Sequence, residues 1–185
     1  MFLSKLEIPI IDIANPYNRH KVLWNMFPKN CNAKREFLFR VDNKIKNAKI
    51  EIIMQSIIRP DEKARNVKLT KEFNPVFKNS SCFRFLLCAN PCKMKNKNRV
   101  PYIHEQEQIK WLKNKFEGIA NINACNVIHK EVLFFKKNDG NGKIFTVTFQ
   151  GILIIKDSDL FLKLFQTGIG PAKSFGCGML SLMKI

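Results

Sequence analysis

Residues 35–56 read REFLFRVDNKIKNAKIEIIMQS and contain a clear strand pattern. In REFLFRV (35–41) and KIEIIMQS (49–56), apolar side chains alternate with polar or charged ones, and a polar turn separates the two runs. A period of two places every second side chain on the same face of a sheet. The stretch therefore predicts two strands joined by a turn, with one face of each strand against a core.

The flanking segments extend this pattern into a β-α-β-β-β order. On the N-terminal side, FLSKLEI (2–8) alternates like a strand. Asn15 followed by Pro16 predicts a helix start, because Asn caps helices well and Pro suits the first helical position. This helix should run to about Phe27, before Pro28. On the C-terminal side, a poorly patterned stretch precedes another predicted strand, SCFRFLL (81–87).

The rest of the chain repeats this order. A helix is expected near 104–117, ended by Gly118, and a second over 159–167, with Ser158 as its cap and Gly168 after its end. Strands are predicted at 124–128, 132–135, 144–156 and 178–184, and a loop is predicted at 136–143. Two successive patterns of this kind predict an α+β fold with two tandem ferredoxin-like domains, residues 1–90 and 94–185.

The charge of the chain favours an anionic partner. Lys and Arg number 32 against 15 Asp and Glu, which gives a formal net charge of +17 at pH 7. Such an excess favours nucleic acid first and an anionic membrane surface second. No apolar stretch approaches the length that a membrane helix needs, and no basic amphipathic helix is evident, so a membrane partner is disfavoured.

The cysteine spacing argues against a metal cofactor. The six cysteines lack C-x-x-C pairs and lie largely in apolar runs; they are Cys31, Cys82, Cys88, Cys92, Cys125 and Cys177. They are predicted to be buried free thiols, which are typical of the reducing cytoplasm. The opening MFLSKLEIPIIDI is interrupted by charges and proline and is not expected to be a secretory signal.

His20 is the candidate catalytic histidine among three. Tyr17 and His20 are three residues apart on the first predicted helix and therefore lie on one side of it. Trp24 follows one turn later, so the residues alone also allow a structural histidine stacked on the indole. His104 and His129 are predicted to be structural or solvated.

A glycine-rich segment near the C-terminus is a candidate phosphate-binding loop. In GIGPAKSFGCG (168–178), four glycines flank Lys173 and Ser174. Glycine lets the backbone approach an anion, and exposed N–H groups in such turns bind phosphate. The spacing matches neither G-x-G-x-x-G nor G-x-x-x-x-G-K-[ST], which disfavours the usual nucleotide-binding enzymes. A plain tight turn remains the alternative.

Clusters of lysine and arginine predict a phosphate track, which is a surface that follows the backbone phosphates of a nucleic acid. Lys93, Lys95, Lys97 and Arg99 form one run, and Lys136, Lys137 and Lys143 accompany a glycine-containing loop. Several such runs on a strongly basic chain favour contacts with a nucleic-acid backbone. No aromatic motif of the kind used to stack single-stranded RNA is evident on the strands, so a structured RNA duplex is the favoured ligand.

Together these segments resemble the CRISPR repeat-processing endoribonucleases of type I-E systems, the CasE family. The resemblance follows the chain in order through FLSKL (2–6), PYNRHKVLWNMFP (16–28), REFLFRV (35–41), FRFLLCANPCK (83–93), RVPYIHEQEQIKWLKNK (99–115), FQGILIIKD (149–157) and GIGPAKSFGCGMLSL (168–182). The last segment and the paired RVP and EQ-x-x-WL elements are highly specific. Residues 57–80 depart from the family pattern.

The resemblance implies a function and a site. It implies two fused ferredoxin-like domains that bind the hairpin of a CRISPR repeat, cut at the 3′ base of its stem without a metal or other cofactor, and keep the product within the Cascade complex. The family's catalytic histidine and tyrosine correspond to His20 and Tyr17. Its RNA-contacting glycine-rich loop corresponds to residues 168–178, with Gly168, Gly170, Lys173, Ser174 and Gly176.

The chemistry implied is cleavage by the RNA's own 2′-hydroxyl. An imidazole, whose ordinary pKa is close to 6.5, suits general acid or base catalysis at cytoplasmic pH. Tyr17 would orient the nucleophile or a phosphate oxygen, and Lys173 and loop N–H groups would stabilise charge on the phosphorane. The alternative is a non-catalytic subunit that binds an RNA hairpin in a ribonucleoprotein.

Overall fold

The computed structural model describes residues 1–27, 37–61, 63–137 and 140–185, without the side chains of residues 43–46. In chain order, the elements are β1 (Phe2–Pro9), α1 (Ile10–Ile13), α2 (Pro16–Trp24), β2 (Phe37–Lys46), β3 (Lys49–Ser56), β4 (Val67–Glu72), β5 (Cys82–Ala89), β6 (Cys92–Lys95), β7 (Asn98–Pro101), α3 (Glu105–Lys115), β8 (Ala120–Lys137), β9 (Gly140–Ile155), α4 (Ser158–Thr167), a 3-10 helix (Lys173–Phe175) and β10 (Leu180–Lys184).

The first sheet has the strand order β2-β3-β1-β4. The central pair, β1 with β3, is antiparallel with Leu6 opposite Ile52, and β2 pairs antiparallel with β3 with Phe39 opposite Met54. The first and third strands of this sheet are central, and the second and fourth lie at the edges, as in a ferredoxin-like sheet. The strands predicted near the N-terminus and at 49–56 are confirmed. The strand predicted at 35–41 is confirmed from Phe37 onward, and residues 35 and 36 lie outside the described residues.

The core of the first sheet joins its inner face to α2. Leu23 and Met26 pack with sheet residues such as Leu6, Phe39 and Ile52, all of them buried. Alternation along β1, β2 and β3 supplies the sheet side of this core, because every second side chain points inward. Between β3 and β4, residues 57–61 and 63–66 form bends, turns and irregular backbone.

The second sheet has the strand order β10-β5-β9-β8. The strand predicted at 81–87 exists, but its assignment to the first cycle was wrong. As β5, it pairs with β9 through Phe85 and Gly151 and with β10 through Leu87 and Leu180. Alternation identifies a strand without identifying its partner, so the pairing depended on contacts distant in sequence. The last strand of the first sheet is instead β4, which pairs with β1.

The second half of the chain contains a hairpin that the strand pattern did not predict, and one strand that is longer than predicted. The run of cations at 93–99 lies in this hairpin, formed by β6 and β7, with Lys95 opposite Asn98. The runs at 124–128 and 132–135 belong to a single strand, β8, which ends at Lys137, and β9 begins at Gly140. Most of the expected loop at 136–143 is therefore strand, and residues 138 and 139 lie outside the described residues.

The predicted helices are present with small shifts at their ends. α2 begins at Pro16 after Asn15 as predicted and ends at Trp24, earlier than Phe27. α4 is capped by Asp157, whose side chain accepts hydrogen bonds from the N–H groups of Asp159 and Leu160, and Ser158 is its first residue. Within the described parts of the chain, no helix is long and apolar enough to cross a membrane.

The chain forms two compact units that interleave in sequence. Unit 1 contains Met1–Asn74, Phe134–Lys143 and Lys173–Gly176. Unit 2 contains Pro75–Leu133, Ile144–Ala172 and Cys177–Ile185. The tip of the β8–β9 ribbon and the 3-10 helix are thus parts of unit 1, together with the first sheet.

The five described cysteines form no disulfide bonds. Cys177 is buried, and Cys82, Cys88, Cys92 and Cys125 are half-buried. Burial raises the pKa of the Cys125 thiol to about 11. Cys31 lies outside the described residues.

Candidate active site

The start of α2 is fixed by Asn15. Its side-chain oxygen accepts the N–H of Tyr17 at 3.1 Å, which satisfies one of the open donors of the first helical turn. The amide Nδ2 of Asn15 also donates to the carbonyl oxygen of Lys136 at 3.0 Å. One side chain therefore caps the helix and ties it to the end of β8, which holds Tyr17 in a defined position in unit 1.

Tyr17 lies among aromatic and cationic side chains. Its ring stacks on Phe135, with 6.2 Å between the centroids and 16° between the planes. The Nζ atoms of Lys21 and Lys137 lie 5.2 Å and 5.4 Å from the centre of the Tyr17 ring. Two ammonium groups near one half-buried phenol make a locally electropositive surface, which attracts phosphate.

His20 is half-buried and packs against two rings. The centroid of its imidazole lies 5.6 Å from that of Phe37, at an interplanar angle of 23°, and 5.5 Å from that of Trp24. The contact with Trp24 agrees with the spacing on the helix, whereas Phe37 approaches from β2. These contacts fix the orientation of the imidazole while part of the side chain stays accessible.

The glycine-rich segment is divided between the two compact units. Lys173 and Ser174 are half-buried in the 3-10 helix, which packs on α2 and β2 within unit 1. Phe175 contacts Phe135, with centroids 4.7 Å apart. Unit 1 thus contains Tyr17 and His20 together with Lys173 and Ser174.

All four glycines of this segment have positive φ angles that favour glycine. Gly176 adopts φ +93°, and a Cβ there would lie 3.1 Å from Cε2 of Phe39. Gly170 adopts φ +74°, and a Cβ there would lie 2.8 Å from Cη2 of Trp111. Gly168 ends α4 with φ +76°. Gly168 and Gly170 belong to unit 2.

The cations of the β6–β7 hairpin are exposed in unit 2. Lys93 and Lys95 are on β6, Arg99 is on β7, and Lys97 is in the turn between them. Asn96 and Lys97 have φ angles of +49° and +64°, which are typical of a two-residue hairpin turn. The hairpin therefore presents four positive charges to solvent from a short and regular element.

Sequence reasoning missed the phenylalanines at the end of β8 and in the 3-10 helix, of which Phe135 stacks on Tyr17. Phe134 and Phe135 were assigned only to a strand, and Phe175 only to a glycine-rich turn. The available signal was the pair of adjacent phenylalanines just before two lysines, because consecutive strand residues point to opposite faces. His104 and His129 are exposed, and His129 Nε2 lies 4.0 Å from a carboxylate oxygen of Glu131.

The described residues contain no group of three or more His, Cys, Asp or Glu side chains arranged to hold a metal ion.

The two sheets and the site on α2 define an α+β protein with two ferredoxin-like domains. Comparison with protein families places the chain among the CRISPR-associated proteins, whose family model matches residues 1–184. The chain belongs to this family. It is 36% identical over 199 residues to the CRISPR system Cascade subunit CasE of Escherichia coli strain K12, with 100% of both chains covered.

One further relative and two solved structures agree with this assignment. The CRISPR-associated endoribonuclease Cse3 of Thermus thermophilus is 28% identical over 192 residues, covering 92% of this chain and 91% of Cse3. A structure of the endoribonuclease Cse3 bound to a 19-nucleotide RNA has a TM-score of 0.88 at 26% identity, covering 99% and 100% of the two chains. The crystal structure of Cas6e from Escherichia coli K-12 has a TM-score of 0.87 at 34% identity, with both chains fully covered.

Proposed function

We propose that this protein is the endoribonuclease that processes CRISPR repeat RNA and stays bound to its product as a subunit of Cascade. It binds the stem-loop of the repeat and cleaves at the 3′ base of the stem, giving mature crRNA. The observation that carries the proposal is the placement of Tyr17 and His20 on one helix beside Lys21 and Lys137, in a chain similar over its whole length to a Cascade subunit and an endoribonuclease.

The reaction needs no metal. The 2′-hydroxyl oxygen next to the scissile phosphate attacks phosphorus, and the bond from phosphorus to the 5′ oxygen of the next nucleotide breaks. The products are a 2′,3′-cyclic phosphate and a 5′-hydroxyl. His20 acts as general base toward the 2′-hydroxyl or general acid toward the leaving oxygen, a contribution typically worth about 10²- to 10⁴-fold in rate.

The residues around His20 have supporting roles. Tyr17 orients the 2′-hydroxyl or a phosphate oxygen through its own hydroxyl group. Lys173 and backbone N–H groups of the glycine-rich segment stabilise the negative charge that develops on the phosphorane. Lys173 is on the 3-10 helix, which packs on α2 within unit 1. This packing supports the role of Lys173, because Tyr17 and His20 are on α2.

The remaining cations bind the RNA backbone. Lys93, Lys95, Lys97 and Arg99 on the hairpin, together with Lys137, contact phosphates of the stem, and Ser174, Gly168, Gly170 and Gly176 shape the loop that approaches it. Lysines that follow phosphates give affinity without base recognition. The exposure of all four hairpin cations supports this assignment.

Cleavage of the host's own repeat RNA in EDTA tests the proposal. The wild-type chain should cut the hairpin once and leave a 2′,3′-cyclic phosphate, identified by mass spectrometry of the product ends. A single 2′-deoxy substitution upstream of the scissile bond should stop cleavage and leave binding intact. Retained cleavage of the deoxy substrate would refute attack by the 2′-hydroxyl.

The His20→Ala variant tests the histidine. We expect cleavage to fall by about 10²-fold or more while the affinity for the hairpin changes little, because His20 acts on the reacting atoms. His104→Ala is the matched control, since His104 is exposed at the start of α3, and should cut at the wild-type rate. Equal rates for wild type and His20→Ala would remove His20 from the mechanism.

A second candidate function is a non-catalytic subunit that caps an RNA hairpin in a ribonucleoprotein. The observation that favours it is the packing of His20 between Trp24 and Phe37, which is also the arrangement of a structural histidine. Under this function, wild type leaves the hairpin whole and His20→Ala changes neither the RNA length nor the affinity.

The cytoplasm is the proposed location. The five described cysteines support it, because they form no disulfide bonds and a reducing compartment keeps thiols in this state.

A further inference from the structure

A cavity of about 420 Å³ opens in unit 1 beside the candidate active site. Its walls include Ala14, Asn15, Phe134, Phe135, Lys136 and Asn141. The walls are mainly apolar, and Asn15, Lys136 and Asn141 are the polar residues among them. Cavities of this size and composition bind small, partly apolar ligands.

One wall of the cavity is formed by Phe134, an aromatic residue that is largely exposed to solvent. Its side chain is 71% exposed, although burying an aromatic ring is strongly favourable. Its neighbour Phe135 is held in place on both sides, by Tyr17 and by Phe175. Gly142 lies directly under the Phe135 ring, where any side chain would collide with it. The cavity therefore combines one fixed ring with one ring that is open to a ligand.

The positive charges around the cavity indicate which class of ligand it binds. Lys136 lines it, and the next residue, Lys137, is the lysine beside Tyr17. Both lysines are exposed. An open aromatic face next to exposed ammonium groups is the arrangement by which proteins stack a nucleobase and hold its phosphates.

The cavity is joined to Tyr17 by direct contacts. Asn15 lines the cavity and accepts the N–H of Tyr17, and Phe135 lines the cavity and stacks on the Tyr17 ring. A nucleotide in the cavity is therefore adjacent to the residue that the proposed function places at the scissile phosphate.

We propose that this cavity binds the first unpaired nucleotide on the 3′ side of the cut, with its base stacked on Phe134. This inference rests on the proposed function: cleavage at the 3′ base of a stem leaves a paired nucleotide upstream and an unpaired one downstream. The base in the cavity and the phosphate near Lys137 together position the leaving 5′ oxygen. Phe134 is thus a positioning residue for the cleavage reaction.

Binding of uncleavable RNA provides the test. Two RNAs carry the same hairpin with a 2′-deoxy nucleotide before the cut, and one ends at the cut while the other extends by one nucleotide. Phe134→Ala should weaken binding of the extended RNA by about 5- to 150-fold and leave the shorter RNA unchanged, because one base–aromatic stack is lost. Phe134→Trp should retain the wild-type affinity for both.

Two controls make the result specific. Val132→Ala removes another exposed apolar side chain of β8 and should change neither affinity. An abasic nucleotide in the extended RNA should reduce wild-type binding to the level of Phe134→Ala and make the two proteins equal.

Three outcomes would overturn the inference. Equal loss on both RNAs would place Phe134 against the stem, and no loss on the extended RNA would remove the stacking contact. Unchanged RNA binding with weaker incorporation of Phe134→Ala into Cascade would assign the cavity to a protein partner. Since binding is measured without cleavage, a chain that stacks the base but never cuts would refute the proposed function and the role of Phe134 in cleavage, and would leave the stacking of the unpaired nucleotide on Phe134 standing.

Discussion

Gly176, in the glycine-rich segment, lies close to Phe39 of β2. Its φ of +93° and the 3.1 Å between a hypothetical Cβ and Phe39 add two separate costs to any side chain. Gly176→Ala should therefore destabilise the protein by about 1–3 kcal/mol, the usual range for a residue forced into a sparsely populated backbone region. Thermal unfolding would show this as a midpoint lower by about 2–12 °C.

Gly118→Ala is the matched control for this prediction. Gly118 has φ +73° with nothing within 4 Å of a Cβ, so the variant carries the backbone cost without the contact. Gly176→Ala should lower the midpoint more than Gly118→Ala. Equal shifts would mean that the Phe39 ring moves aside freely.

Local sequence signals identified the candidate site residues on α2, but some of the side chains that surround them come from segments distant in sequence. Asn15 and Pro16 predicted the start of α2, because capping depends on a few adjacent residues. The approach of Trp24 to His20 followed from helix spacing. Phe37 and Phe135 come from β2 and β8, and no feature of residues 15–24 indicates them.

At the scale of elements, the sequence predicted the type of most strands but not all of their partners. β5 alternates clearly, yet only its register with β9 and β10 shows which sheet it completes. β4 was missed, because it is an edge strand with mostly exposed or half-buried side chains. Its hydroxyl contact from Thr70 to Ser4, at 3.0 Å, involves residues 66 positions apart.

The β6–β7 hairpin offers a test of the phosphate track. Lys97 adopts φ +64°, where glycine is favoured, so Lys97→Gly should leave the hairpin intact while removing one charge. We expect weaker binding of the repeat RNA and a salt slope that is shallower by up to about 0.9, the value for one lost phosphate contact. Filter binding or fluorescence anisotropy across a salt series measures it.

Lys163→Ala is a comparison of equal charge for that experiment. Lys163 is exposed on α4, outside the predicted track. A slope that changes equally in both variants would show that net charge, rather than the hairpin, determines the binding.

At the scale of the whole molecule, unit 1 is assembled from three separate segments. A fragment of residues 1–74 contains the complete first sheet but lacks Phe135, whose ring stacks on Tyr17, and Phe175, whose ring contacts Phe135. We expect this fragment to lose cooperative unfolding, as measured by circular dichroism in urea, while the full chain retains it. A sigmoidal transition with the midpoint of the full chain would contradict this expectation.

The interleaving of the units also has a consequence for biosynthesis. The ribosome makes the first sheet early, but the 3-10 helix that packs on α2 is made only after β5 to α4. Although domains commonly mature in N- to C-terminal order, unit 1 here can be completed only after most of unit 2 has been synthesised.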